Sequence, residues 1–115
     1  MTKILLLGLM AFMASPKPVS IQVSPLFPMK GATIRVTCYV DQRERNRFLD
    51  VGIEDENHVV LQQSTVELRG LNSAKIIATS FPKLDCEATR AYCIVSDNIG
   101  PLGRASGEFT VQGCN

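Results

Sequence analysis

The chain has 115 residues, twelve Lys and Arg against eleven Asp and Glu, one histidine, four cysteines and no tryptophan. A formal charge of +1 offers no bulk attraction to nucleic acid or to anionic lipid, so any electrostatic recognition must be local. The length allows one domain and is too short for two.

Met1, Thr2 and Lys3 give a short positive start, and residues 4–13 are continuously apolar before Ser15-Pro16-Lys17-Pro18 breaks the run. Such a run is too short to cross a bilayer and reads as the core of a signal peptide. The expectation is a leader and short linker over residues 1–18, one domain over residues 19–115, and a mature chain that begins between Phe12 and Ser20. It would be secreted, periplasmic or extracellular, with no transmembrane segment. Four cysteines in a short exported chain read first as two disulfides. Their spacings of forty-eight, seven and twenty-one positions lack the close pairs of a zinc knuckle.

From Val19 onward the pattern is strand and turn. Pro25 and Pro28 interrupt the first extended stretch, which suits an edge strand. In residues 33–40, Ile34, Val36, Cys38 and Val40 alternate with polar neighbours, the period of a half-buried strand. After a polar loop over residues 41–47, Leu49, Val51 and Ile53 repeat that alternation, and Asp55-Glu56-Asn57 turns the chain. Further extended pieces are expected at residues 59–61, 65–68, 74–81, 91–95 and 107–111, with no segment of helical period between them. The fold class is therefore all-β, an antiparallel sandwich of about seven short strands.

The string Cys93-x-Val95-x-Asp97-x-x-Gly100, followed by Gly107-Glu108-Phe109-Thr110-Val111, resembles the last two strands of an immunoglobulin-like domain of the intermediate set. That resemblance implies an immunoglobulin-like sandwich in which Cys38 and Cys93, on inward faces of opposite sheets, bridge through the core. Cys86 and Cys114 then arrive at one end of the sandwich and form the second bridge. Two positions depart from the family pattern. Without tryptophan, Val51 or Ile53 must pack on the core disulfide, and Tyr92 is adjacent to Cys93 and should face outward, where the family has a corner tyrosine two residues before the cysteine. Both departures, and the absence of an Asn-x-Ser/Thr acceptor, suit a phage or bacterial envelope member.

Catalysis finds little support, since His58 sits beside a turn with no serine or free thiol placed to use it. Residues 54–57 carry acidic oxygens, yet lack the spaced ligand loop of a calcium site. No metal and no cofactor are expected. The binding candidates are Arg43, Arg45 and Arg47, whose guanidinium forks suit carboxylates, phosphates and protein hot spots, together with Asn98, Leu102 and Arg104 from the hairpin at the same end. The alternative for the arginines is a solvated loop in which they pair with Asp41, Glu44 and Asp50. The functional expectation is a non-catalytic adhesion or binding module that contacts a protein or glycan on a cell surface or virion through these loops. A surface decoration protein that uses the sandwich as a rigid unit, and a secreted antagonist of a host protein, are the alternatives.

Overall fold

A computed structural model describes residues 17–114. Seven strands form two antiparallel sheets: β1 (Val19–Ser24), β2 (Ile34–Val40), β3 (Phe48–Glu54), β4 (Val60–Glu67), β5 (Ile76–Phe81), β6 (Arg90–Ser96) and β7 (Pro101–Glu108). One sheet has the order β1-β2-β5, the other β4-β3-β6-β7. The expected all-β sandwich of about seven strands is the observed architecture. The expected leader lies outside the described residues, and no helix among those described is long and apolar enough to cross a membrane.

The alternation read in the second strand is the packing that forms. Ile34, Val36, Cys38 and Val40 are all buried, and they face Leu49, Val51, Ile53, Ala91, Cys93 and Val95 of the opposite sheet. Branched aliphatic side chains of this kind interdigitate between two sheets and exclude water from both inner faces. Cys38 and Cys93 bridge that core with a Cα separation of 6.1 Å. Val51 stands opposite Cys93 in the β3/β6 register and, with Ile53, packs in the core where no indole is available. The second bridge, Cys86 to Cys114, ties the end of the chain to the loop before β6. Both disulfides pair as expected.

Three boundaries differ from the reading of the sequence. β4 is one continuous eight-residue edge strand, because Gln62, Gln63 and Ser64 pair with β3 although they break its apolar pattern. β7 starts at Pro101, six residues before the expected strand. Gly103 and Gly107 hide it in the sequence, and their bare Cα atoms admit β1 and the residue before it: a Cβ on Gly103 would collide with Pro18, and one on Gly107 would lie 3.0 Å from Val23 Cγ2. Residues 109–112 instead run beside the β1–β2 loop, where Thr110 N donates to Leu26 O at 3.1 Å and Gln112 N to Pro28 O at 2.7 Å.

All strands enter or leave at two ends. The loops over residues 41–47, 68–75 and 97–100 share one end with Pro18, and the loops over residues 25–33, 55–59 and 82–89 share the other.

Candidate functional site

The outer face of the four-stranded sheet carries a cluster that the sequence reading passed over. Strand alternation sends Leu49, Val51 and Ile53 inward, so Asp50, Gly52 and Glu54 of β3 face out, as do Arg90 and Tyr92 of β6 and Arg104 of β7. Glu54 is nevertheless buried, at 2% relative exposure. Its Oε1 accepts from Arg90 Nη1 at 2.9 Å and Arg104 Nη2 at 2.7 Å, and lies 3.2 Å from His58 Nδ1. A carboxylate removed from water needs such partners, and two guanidiniums supply charge-assisted donors.

Tyr92 roofs the neighbouring position. It occupies the outer face as expected, but it is only 2% exposed, because it lies across Gly52 and beneath the Arg104 guanidinium, 5.0 Å from its ring centroid. Burial, reinforced by the carboxylates of Asp50 and Glu54, raises the phenol above its ordinary range, while Arg104 acts in the opposite direction. Asp50 is itself held by Thr65, whose Oγ1 donates at 2.7 Å.

His58 enters the cluster from the β3–β4 turn with a positive φ of 65°, a left-handed backbone that few residues other than glycine adopt. Asp55 builds that turn: its Oδ1 accepts from Asn57 N at 2.8 Å and Val59 N at 2.9 Å. The imidazole is 69% exposed, and its Nδ1 lies 3.2 Å from both Glu54 Oε1 and Arg90 Nη1. Donation to Glu54 leaves Nε2 as an acceptor, whereas acceptance from Arg90 requires the other tautomer. The histidine that the sequence places beside a turn is thus tied to a buried carboxylate. Residues 54–57 likewise divide, since Glu54 belongs to the sheet and only the residues after it form the tip.

The arginine loop is organised differently. Arg43 Nε bonds Asp41 Oδ2 at 2.7 Å, Arg45 Nη2 bonds Asp97 Oδ2 at 2.5 Å, and Arg47 Nη1 donates to the carbonyls of Glu44 and Asn46 at 2.6 and 2.9 Å. Of the expected acidic partners only Asp41 serves as one; Glu44 contributes its backbone oxygen, and Asp50 is occupied by Thr65. Asp97 is the pivot of the adjoining hairpin, where its Oδ1 accepts from Ile99 N at 2.8 Å and Gly100 N at 2.9 Å. Those backbone donors, with Arg45, hold its carboxyl down at about 2.

Of the six expected binding residues, the structure therefore gathers Arg45, Arg47 and Asn98 around one open cleft of about 210 Å³. Arg43 lies off that cleft with Asp41. Leu102 is half-buried against the core, and Arg104 points onto the sheet face toward Glu54. The recoverable signal for the missed cluster was charge at outward-facing strand positions: a sheet exposed on one side has no packing reason to place Glu54, Arg90 and Arg104 on adjacent strands.

No family model matches the chain, and no curated protein does. Among solved structures, two variants of superoxide reductase (neelaredoxin) from Ignicoccus hospitalis share this architecture. One has a TM-score of 0.65 at 17% identity, covering 89% of this chain and 86% of that chain. The other has a TM-score of 0.64 at 17% identity, with 88% and 85% covered. This overturns the intermediate-set immunoglobulin resemblance: the architecture is that of superoxide-reductase-like β-sandwiches. The Cys93 to Gly100 motif misled because it encodes local chemistry, a core disulfide followed by an Asp-capped hairpin, which any sandwich can use. The disulfide pairing stands, but the functional expectations built on that resemblance fall with it. The adhesion module, the phage or virion decoration protein and the secreted antagonist lose their ground, and so does the classification as a non-enzyme, because the matching structures are named for an enzymatic activity.

At 17% identity the likeness carries the fold and not the chemistry. Superoxide reduction transfers one electron and requires a redox-active group. In this chain the four cysteines are consumed by two disulfides and His58 is the single histidine. Among the described residues no three His, Cys, Asp or Glu side chains converge as metal ligands, so the donor set present does not fit a resident redox metal.

Proposed function

We propose that the outer face of the four-stranded sheet recognises a small oxyanion through Arg104, Arg90 and His58, which Glu54 holds in place. The observation that carries this reading is the convergence of all three cationic or protonatable groups on a single oxygen of a buried carboxylate. At Glu54 one carboxylate meets two guanidiniums, so the positive charge is concentrated there, while Asp50 on the same face makes the set of Arg90, Arg104, Glu54 and Asp50 formally neutral. Arg104 and His58 also reach solvent, with side chains 41% and 69% exposed. A guanidinium carries five N–H donors in a rigid fork, more than one carboxylate oxygen accepts, which suits it to a second, planar or tetrahedral anion. The positions are preorganised, because Tyr92 supports Arg104 from below and Arg90 is fixed against Glu54.

Superoxide, the substrate named for the matching structures, is itself a small anion. The electrostatic part of such chemistry suits this face, whereas the electron-transfer part has no donor set among the described residues. Recognition of the anion is therefore the activity proposed, and no redox step is assigned. Two disulfides favour an oxidising compartment, and with the apolar run of residues 4–13 they support export as part of the same proposal.

Isothermal titration calorimetry with inorganic phosphate tests the reading. Saturable binding that weakens about tenfold in Arg104→Gln, the loss of roughly one charge-assisted contact, is the expected result. Equal affinity in the two proteins would remove Arg104, and with it the site.

A further inference from the structure

The two ends of the sandwich carry opposite charge. Among the described residues, the loops at the Pro18 end hold Lys17, Arg43, Arg45, Arg47, Arg69 and Lys75 against three acids, Asp41, Glu44 and Asp97. The loops at the far end hold Asp55, Glu56, Asp85 and Glu87 against Lys30 and Lys83. Although the chain as a whole is nearly neutral, it is electrostatically polar along its strand direction.

Each end also exposes apolar side chains beside its charges. At the acidic end, Leu26, Phe27 and Met29 stand out from the β1–β2 loop, Phe27 with 68% of its surface open. Leu26 and Phe27 rim a notch of about 320 Å³ floored by Phe109, and Thr89 joins that notch to a second one of about 410 Å³ walled by Glu56 and Glu87. At the basic end, the Asp97 hairpin presents Ile99, 92% exposed, beside Arg45 and Arg47. A projecting apolar residue with a basic surround thus matches an apolar notch with an acidic wall.

We infer that the acidic end is a docking surface for the basic end of a second copy of this chain, with Ile99 seated in the Leu26–Phe27 notch and arginines facing Glu56 and Glu87. The two surfaces lie at opposite ends, so the contact is heterologous and does not close at the dimer; copies add head to tail along the strand direction. An apolar centre with a charged surround is the usual anatomy of a specific contact, and its charged part weakens as salt screens it. The inference does not rest on the sheet-face anion site, although His58 of that site belongs to the same end loop as Glu56.

Sedimentation velocity on the full chain tests this association. The mean mass should rise with protein concentration at about 20 mM salt, without a plateau at the dimer, and fall toward the monomer at about 500 mM. Two charge-reversed variants are then compared, Arg45→Glu/Arg69→Glu at the basic end and Glu56→Lys/Glu87→Lys at the acidic end, each checked for native circular dichroism. Each alone should remain monomeric, and an equimolar mixture should associate again, since the unaltered acidic end of the first still fits the unaltered basic end of the second and the two reversed ends complement each other. Should the Arg45 change disturb the hairpin, Arg69→Glu/Lys75→Glu replaces it in the same comparison. A monomer at every concentration, a mass that stops at the dimer, or variants that associate like the parent chain would each overturn the inference.

Discussion

Tyr92 lies flat across the bare Cα of Gly52 on the outer face of the four-stranded sheet, and a Cβ at that glycine would collide with the phenol and approach Gln62 O to 2.7 Å. Backbone cannot yield as a flexible side chain can, so Gly52→Ala should displace the ring and cost about 1–3 kcal/mol, the usual penalty of overpacking. Denaturant unfolding measures the loss. Because the same ring supports Arg104, weakened phosphate binding should accompany it.

Glu54 is the electrostatic keystone of that face. Glu54→Gln removes the charge that holds Arg90 and Arg104 and should destabilise the fold by about 2–3 kcal/mol. That lies below the penalty for a fully buried pair, since Arg104 reaches solvent. Unfolding of the variant at neutral pH checks this, and a stability equal to that of the parent would mean that the cluster does not brace the sheet.

The inner faces of the sandwich were legible in the sequence because period-two alternation in β2 and β3 is set by burial itself. Ile34 to Val40 and Leu49 to Ile53 could not exchange faces without exposing every aliphatic side chain. The disulfide pairing followed from the same geometry. The outer face was not legible, since the register that brings Glu54 opposite Arg90, and Arg104 one strand further, appears only once strands distant in sequence are paired. β7 was obscured by its glycines. Family membership was misjudged from a hairpin signature whose physical cause, the Asp97 cap, is independent of family.

The Asp97 cap yields a pH prediction with a definite sign. Its folded pKa lies at about 2, below the ordinary 3.8, so the unfolded chain binds the proton more readily than the folded one. The stabilisation is present in full above the ordinary value and is lost as pH falls toward 2. In two-dimensional NMR the amides of Ile99 and Gly100 should shift with a midpoint near 2, and Asp97→Asn should abolish that titration. A midpoint near 4 would show that the cap is not closed in solution.

The two disulfides differ in what they join. Chain-entropy estimates for loops of 55 and 28 residues give about 4 kcal/mol each and differ by only about 0.6 kcal/mol, so loop length barely separates them. The core bridge fills space between the sheets, whereas the other ties down an exposed tail. Replacing Cys38 and Cys93 by alanine should therefore lower stability by about 1–2 kcal/mol more than replacing Cys86 and Cys114. Thermal unfolding of the two double variants settles the order.

The central claim, that anions are recognised on the sheet face, is tested most directly by NMR titration of the full chain with inorganic phosphate. Saturable shifts of the Arg90 and Arg104 side-chain NH signals and of the His58 ring, absent in Arg104→Gln, are the predicted result. Shifts confined to Arg45, Arg47 and Asn98, or no saturable change on the sheet face, would contradict it.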